Sequence, residues 1–193
     1  MDKETNFLML HNKDVFTCLH AIVYLLQVSK KSLNYKQITA LLYLADKLHL
    51  IRYGMRTVTG TDYKFSNEGL FNPTLKSILF LDISDDIIVK YIQDSLEIVD
   101  LVYSYKEGYC NFEMLSESDK RTLEFISKNF SNQGDIYNYV LGYPEVKKCK
   151  SFIDKHTTKI KDIKVKDMFS IIDNKLEATE IDVKLSEEFY LNP

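Results

Sequence analysis

The stretch from Tyr35 to Tyr53, YKQITALLYLADKLHLIRY, constrains the fold more than any other part of the chain. Ile38, Leu41, Leu42, Ala45 and Leu48 recur at helical spacing and form one apolar stripe. Leu44 and Ile51 widen it beyond a single face, which places the helix centrally. Asn34 stands where an N-cap belongs, and Gly54 follows the run where helices turn into the left-handed region. The spacing therefore predicts a helix over 35–53, closed by a glycine of positive φ. A second apolar helix precedes it, with Asp14 as its expected cap and an end near Val28. Phe16, Leu19, Ile22, Val23 and Leu26 share one of its faces, and Tyr24, Leu25 and Val28 make it apolar on more than one side. Joined by the connector KKSLN, the two predict a buried helical hairpin.

The next segment, RTVTGTDYKFSNEGLFNP, reads as a long structured loop with a short strand at Tyr63 to Phe65. Asn72-Pro73 is a cap followed by proline at the first helical position, opening a helix to about Leu81. Ser84-Asp85-Asp86 starts another helical turn. Glu97 to Tyr105 and Tyr109 to Leu115 alternate and are rich in Val, Ile and Tyr, so they predict a β-hairpin turning at Lys106-Glu107-Gly108. Ser116 with Asp119 resembles a capping box, opening a helix with Leu123, Ile126 and Phe130 on one face. Gly134 and Pro144 punctuate two further short helices. Six glycines and three prolines in 193 residues suit a helical chain better than a β-sandwich. The expected fold is mainly α (α+β), with the buried helical hairpin and one small β-hairpin. Residues 1–150 form the helical domain and 151–193 a C-terminal extension.

That extension changes sign along its length. Residues 147–166 carry eight lysines against Asp154 and Asp162, a local charge of +6, and from Asp173 six acids face Lys175 and Lys184. The lysine run contains no arginine and only Phe152 among its aromatics, so it reads as a solvated face and not as a nucleic-acid site. The acidic end reads as a docked or mobile tail. Over the whole chain the net charge is −3, which is no polyanion binder's balance.

Cys18, Cys110 and Cys149 are odd in number and widely spaced, which predicts buried thiols in a reducing cytosol. The opening residues MDKETNFLMLHNKD show no basic region followed by an apolar core, so no export signal is expected, and the longest apolar stretch, Ala21 to Leu26, is far short of a membrane span. His11, His20, His49 and His156 never stand at zinc-like spacing with one another or with cysteine, so no metal and no cofactor is expected. Phosphate-binding glycine loops, nucleophile elbows and metalloprotease helices are all missing from the sequence.

One polar constellation interrupts the central helix. Asp46, His49 and Tyr53 lie on one side of it, with Tyr43 a turn earlier. A carboxylate beside an imidazole is the pairing of acid/base catalysis. The same groups equally form a hydrogen-bonded network that fixes the following loop, and no nucleophile stands near them in sequence.

The segment from Ile38 to Leu79 resembles the Panacea domain, the SocA-like antitoxin family. Leu41, Leu42, Tyr43, Ala45, Asp46, His49, Leu50, Tyr53 and Gly54 match its signature helix, approximately LLYFADxxHLxxYG. Val58, Thr59, Gly60, Asp62 and Tyr63 fit the following element, and Gly69 and Pro73 fit its glycine-proline loop. Leu115, Ser116 and Asp119 match a later helix start. Glu68 and Leu70 depart from the loop pattern, and the later threonine-histidine motif is not recognisable around Gly142 to Val146. The resemblance implies a mostly helical, bacterial or phage-encoded antitoxin-like protein, a divergent member that neutralises a toxin encoded beside it by direct contact. One branch of the family delivers its toxin to an AAA+ protease as an adaptor. Partner binding or motif structure would then fall to Tyr43, Asp46, His49, Tyr53, Thr59, Gly60, Asp62, Tyr63, Gly69 and Pro73. The expected contact surface is the 59–73 loop with the exposed end of the second helix. The competing reading is an enzyme using Asp46 and His49 as an acid/base pair on a nucleotide.

Overall fold

Asn34 accepts the backbone N–H of Gln37 at 3.0 Å, and the Gln37 side chain accepts the N–H of Asn34 at 3.0 Å. This reciprocal capping box opens helix α2, Tyr35–Tyr53, and is worth about 1 kcal/mol. Gly54 closes it at φ 68°, its N–H bonded to the Leu50 carbonyl at 2.8 Å. Between the caps, every residue from Ile38 to Ile51 is buried, so α2 is the axis of the molecule. The computed structural model describes residues 13–54, 56–83, 86–107, 112–156 and 158–169, with Leu176 and Glu187.

Seven α-helices and two three-stranded antiparallel sheets make up the described residues. Helix α1 (Lys13–Ser29) precedes α2, and Asp14 lies within its first turn instead of capping it. Both helices are buried, and both pack along α5 (Glu117–Phe130), which covers them as a third layer. Ser116 caps α5 through the expected box with Asp119. Helices α3 (Pro73–Leu79), α4 (Asp86–Ser95), α6 (Ile136–Leu141) and α7 (Pro144–Lys155) complete the helical set. Asn72 caps α3 by accepting the N–H of Leu75 at 3.1 Å, with Pro73 at the first helical position. None of these helices is long and apolar enough to cross a membrane.

The first sheet corrects the hairpin read from the sequence. Strands β4 (Leu96–Val99) and β5 (Val102–Tyr105) pair with each other, and β1 (Leu33–Asn34) joins the far side of β5. The stretch expected as one strand folds back at Asp100 (φ 51°) and Leu101 (φ 61°). Two left-handed residues in succession match the twist of the flanking strands, and Leu96, Ile98 and Val99 find Tyr105, Tyr103 and Val102 as partners. Neither turn residue is asparagine or glycine, so the usual signal is missing. Lys106 and Glu107 follow β5, Gly108 to Asn111 lie outside the described residues, and Phe112 to Leu115 are turn, not strand.

The second sheet is built from the loop. Strands β2 (Tyr63–Ser66) and β3 (Gly69–Phe71) form a hairpin, and β6 (Ile160–Ile163) adds to the other edge of β2. The boundary expected at residue 150 falls inside α7, and the chain beyond it contributes β6 with the buried Met168, Phe169 and Leu176. The acidic end, apart from Leu176 and Glu187, lies outside the described residues, as do His11 and Cys110.

Candidate functional site

Asp46, Lys47 and His49 of α2 are buried, and each reaches a different neighbour. Asp46 accepts the backbone N–H of Thr59 at 2.8 Å, its hydroxyl at 2.7 Å and the Tyr63 hydroxyl at 2.8 Å. Burial pushes its carboxyl up to about 7 despite these three donors. Lys47 forms a fully buried ion pair with Glu145 of α7, and the Tyr43 hydroxyl donates to the same carboxylate at 2.6 Å. Desolvation lowers the Lys47 ammonium to about 8, with Glu145 opposing it. His49 turns Nδ1 to the Arg56 carbonyl at 2.8 Å and Nε2 to the Ser118 hydroxyl at 3.1 Å and Asp119 Oδ1 at 3.3 Å. Burial lowers the imidazole pKa. Arg56 reaches over to Asp119 Oδ2.

The proposed Asp46–His49 acid/base pair is therefore not formed. Asp46 is spent on the loop and His49 on the start of α5, because residues three apart on a helix point about 60° from each other and the two neighbours lie on different sides. Since a carbonyl only accepts, Nδ1 of His49 carries the proton and Nε2 takes the Ser118 hydroxyl. That is a nucleophile-to-base distance. Yet His49 is 3% exposed, and neither residue lines the two clefts beside the β2–β3 hairpin. The buried thiol of Cys18 is raised far above its ordinary range by desolvation and is no nucleophile. Among the described residues no three His, Cys, Asp or Glu side chains are grouped to hold a metal.

The ten motif residues divide sharply by exposure. Tyr43, Asp46, His49, Thr59 and Tyr63 are buried, with the Tyr43 ring edge-on to Tyr63 at 5.1 Å. Gly60 and Asp62 are exposed, Gly69 and Pro73 half-buried, and Tyr53 is exposed with its ring against His49. Further bonds tie the segment to itself: Gly60 N–H to Thr57 Oγ1 at 3.1 Å, and Asn72 Nδ2 to Thr61 Oγ1 at 2.6 Å. Asp46, Thr59 and Tyr63 thus hold the hairpin against α2 and present little of themselves to solvent, whereas Tyr53 and Asp62 stay exposed.

What they present is the hairpin tip, Ser66 to Gly69, standing between two clefts. One, of about 730 Å³, runs from Asn34 and Gln37 to Asp135 and Lys150. The other, of about 650 Å³, is aromatic: Tyr35, Phe71, Phe80 and Tyr137 line it with Ile160. Phe80 and Ile160 are 44% and 50% exposed. Lys36, Lys76 and Lys159 rim it and Glu68 is its one acid; among the described residues these lysines form no ion pair.

The sequence reading missed Lys47, Glu145, Arg56 and Ser118. Lys47 carried only a weak signal: it stands between Asp46 and Leu48 in a helix read as central, where an ammonium group that is buried needs a counter-ion. Glu145 carried none, since it lies 98 residues away. The chain matches no protein-family model, no curated protein and no solved structure.

Proposed function

We propose that this chain is a cytoplasmic protein-binding module of the antitoxin type, which neutralises a toxin by direct contact at the aromatic cleft beside the β2–β3 hairpin. The observation that carries this reading is a division of labour between the motif and the cleft beside it. Tyr43, Asp46, His49, Thr59 and Tyr63 turn inward, with Asp46 fixing the hairpin, while Phe80, Ile160 and the three lysines remain at the surface. A hairpin held on a buried helix gains little order on binding, so little entropy opposes association. Half-exposed aromatic rings supply anchors, and unpaired lysines at the rim favour an acidic partner.

The test is co-expression with the products of neighbouring reading frames. Phe80→Ser removes the anchor, and Lys76→Glu with Lys159→Glu reverses the rim. These surface changes are expected to leave the melting temperature within a few degrees of the parent and to abolish both co-purification and rescue of growth. Rescue that survives all of them excludes the cleft as the contact. If no neighbouring product is toxic or binds, the antitoxin reading falls.

A further inference from the structure

The lysine run, read from the sequence as a solvated face, folds into something more specific. Lys148 and Lys155 of α7, Lys161 of β6, and Lys164 and Lys166 of the following turn converge on one pocket of about 450 Å³. Two carboxylates share it, Asp162 and Asp167, and each already faces a lysine: Lys64 at 3.3 Å and Lys148 at 3.7 Å. Among the described residues Lys155, Lys164 and Lys166 have no carboxylate partner. In a chain of net charge −3, this is a local excess of positive charge gathered from three separate elements.

We propose that this pocket binds a small polyphosphate anion. Ammonium groups on flexible stems act as point charges that meet phosphate oxygens in any orientation, whereas the absence of arginine rules out a planar fork for a single carboxylate. A phosphate chain brings several charges within a few ångströms, a density that the pocket's excess of five lysines over two carboxylates, and above all Lys155, Lys164 and Lys166, can match. The volume falls within the ordinary range for small-ligand sites, roughly 300–1,000 Å³. The two rings at hand are already engaged with each other: Phe152 stacks on His156 at 4.1 Å and carries Lys161 over it at 4.4 Å. Single-stranded nucleic acid needs free rings for its bases, so the pocket offers charge without a stacking platform. This inference is independent of the hairpin cleft and its partner.

Calorimetric titration of the full chain with inorganic tripolyphosphate tests it. One saturable site per chain is expected, with affinity falling steeply between about 50 and 200 mM salt. Lys155→Gln with Lys164→Gln and Lys166→Gln should weaken it by at least about tenfold. The control Lys36→Gln with Lys76→Gln, on the hairpin cleft, should leave it unchanged, and circular dichroism should show both variants folded. The proposal is overturned if no saturable binding occurs, or if the control loses as much as the pocket variant. It is equally overturned if a hexaglutamate peptide binds as tightly, which would reduce the site to bare charge. Binding of an RNA oligonucleotide at these lysines without any of tripolyphosphate would overturn it in favour of a nucleic-acid surface.

Discussion

Tyr137 sets its hydroxyl where a Cβ on Gly69 would have to stand, and donates from there to the Leu70 carbonyl at 2.9 Å. Gly69 also sits at φ 110°, a conformation L side chains rarely adopt. The shape of the hairpin tip between its two clefts thus depends on one absent methyl group and one tyrosine from α6. Gly69→Ala is expected to cost about 1–3 kcal/mol. In a Tyr137→Phe background the cost should be smaller, because the overlap is relieved while the backbone strain remains. Urea denaturation of the four proteins measures that coupling.

Asp46 gives a pH dependence whose sign follows from its raised pKa. The folded protein keeps a proton that the unfolded chain releases between pH 3.8 and about 7. Its contribution is therefore complete below about pH 4 and is lost as pH rises through 7. His20 acts oppositely: burial lowers it from 6.5 to about 4, so its contribution is lost as pH falls through that range. Comparing the parent with Asp46→Asn cancels the histidine. The parent's stability relative to that variant should fall, on the order of a few kcal/mol, between pH 4 and 7. A flat difference would show that Asp46 titrates as an ordinary carboxylate.

The buried pair of Lys47 and Glu145 should behave asymmetrically. Lys47→Met alone leaves a carboxylate buried without its cation and is expected to cost about 3–5 kcal/mol. Adding Glu145→Gln should restore most of the loss, because the Tyr43 hydroxyl keeps an acceptor and no charge is stranded. Thermal and chemical denaturation of the single and double variants decide the matter.

The β4–β5 turn stores strain that substitution can release. Asp100→Asn with Leu101→Gly puts the residues preferred by a turn of this type at φ 51° and 61°. Leu101 is 58% exposed, so little burial is lost. Stability should rise by about 1 kcal/mol, read as a higher denaturation midpoint at unchanged slope.

Local chemistry was legible in the sequence. The bounds of α2, its Asn34 cap, the positive φ of Gly54, the Asn72-Pro73 start of α3 and the Ser116 cap of α5 all follow from residues adjacent in the chain. The β4–β5 turn escaped because Asp100 and Leu101 adopt left-handed geometry without the residues that usually announce it. β6 escaped because its pairing with β2 joins residues about a hundred positions apart, and Ile160 to Ile163 carry little alternation of their own.

The motif segment shows the same boundary. That Asp46 and His49 would share one side of a central helix was decided by the sequence; that this side is buried, with Tyr63 packed beside it, was not. Which group each one meets was decided only by the tertiary structure. Asp46 closes on Thr59, Lys47 on Glu145, and His49 on Arg56 and Ser118, because a buried donor or acceptor is generally matched by whatever the fold brings within about 3 Å. Periodicity states which polar groups share a face; only the packing of distant elements buries that face and supplies each partner.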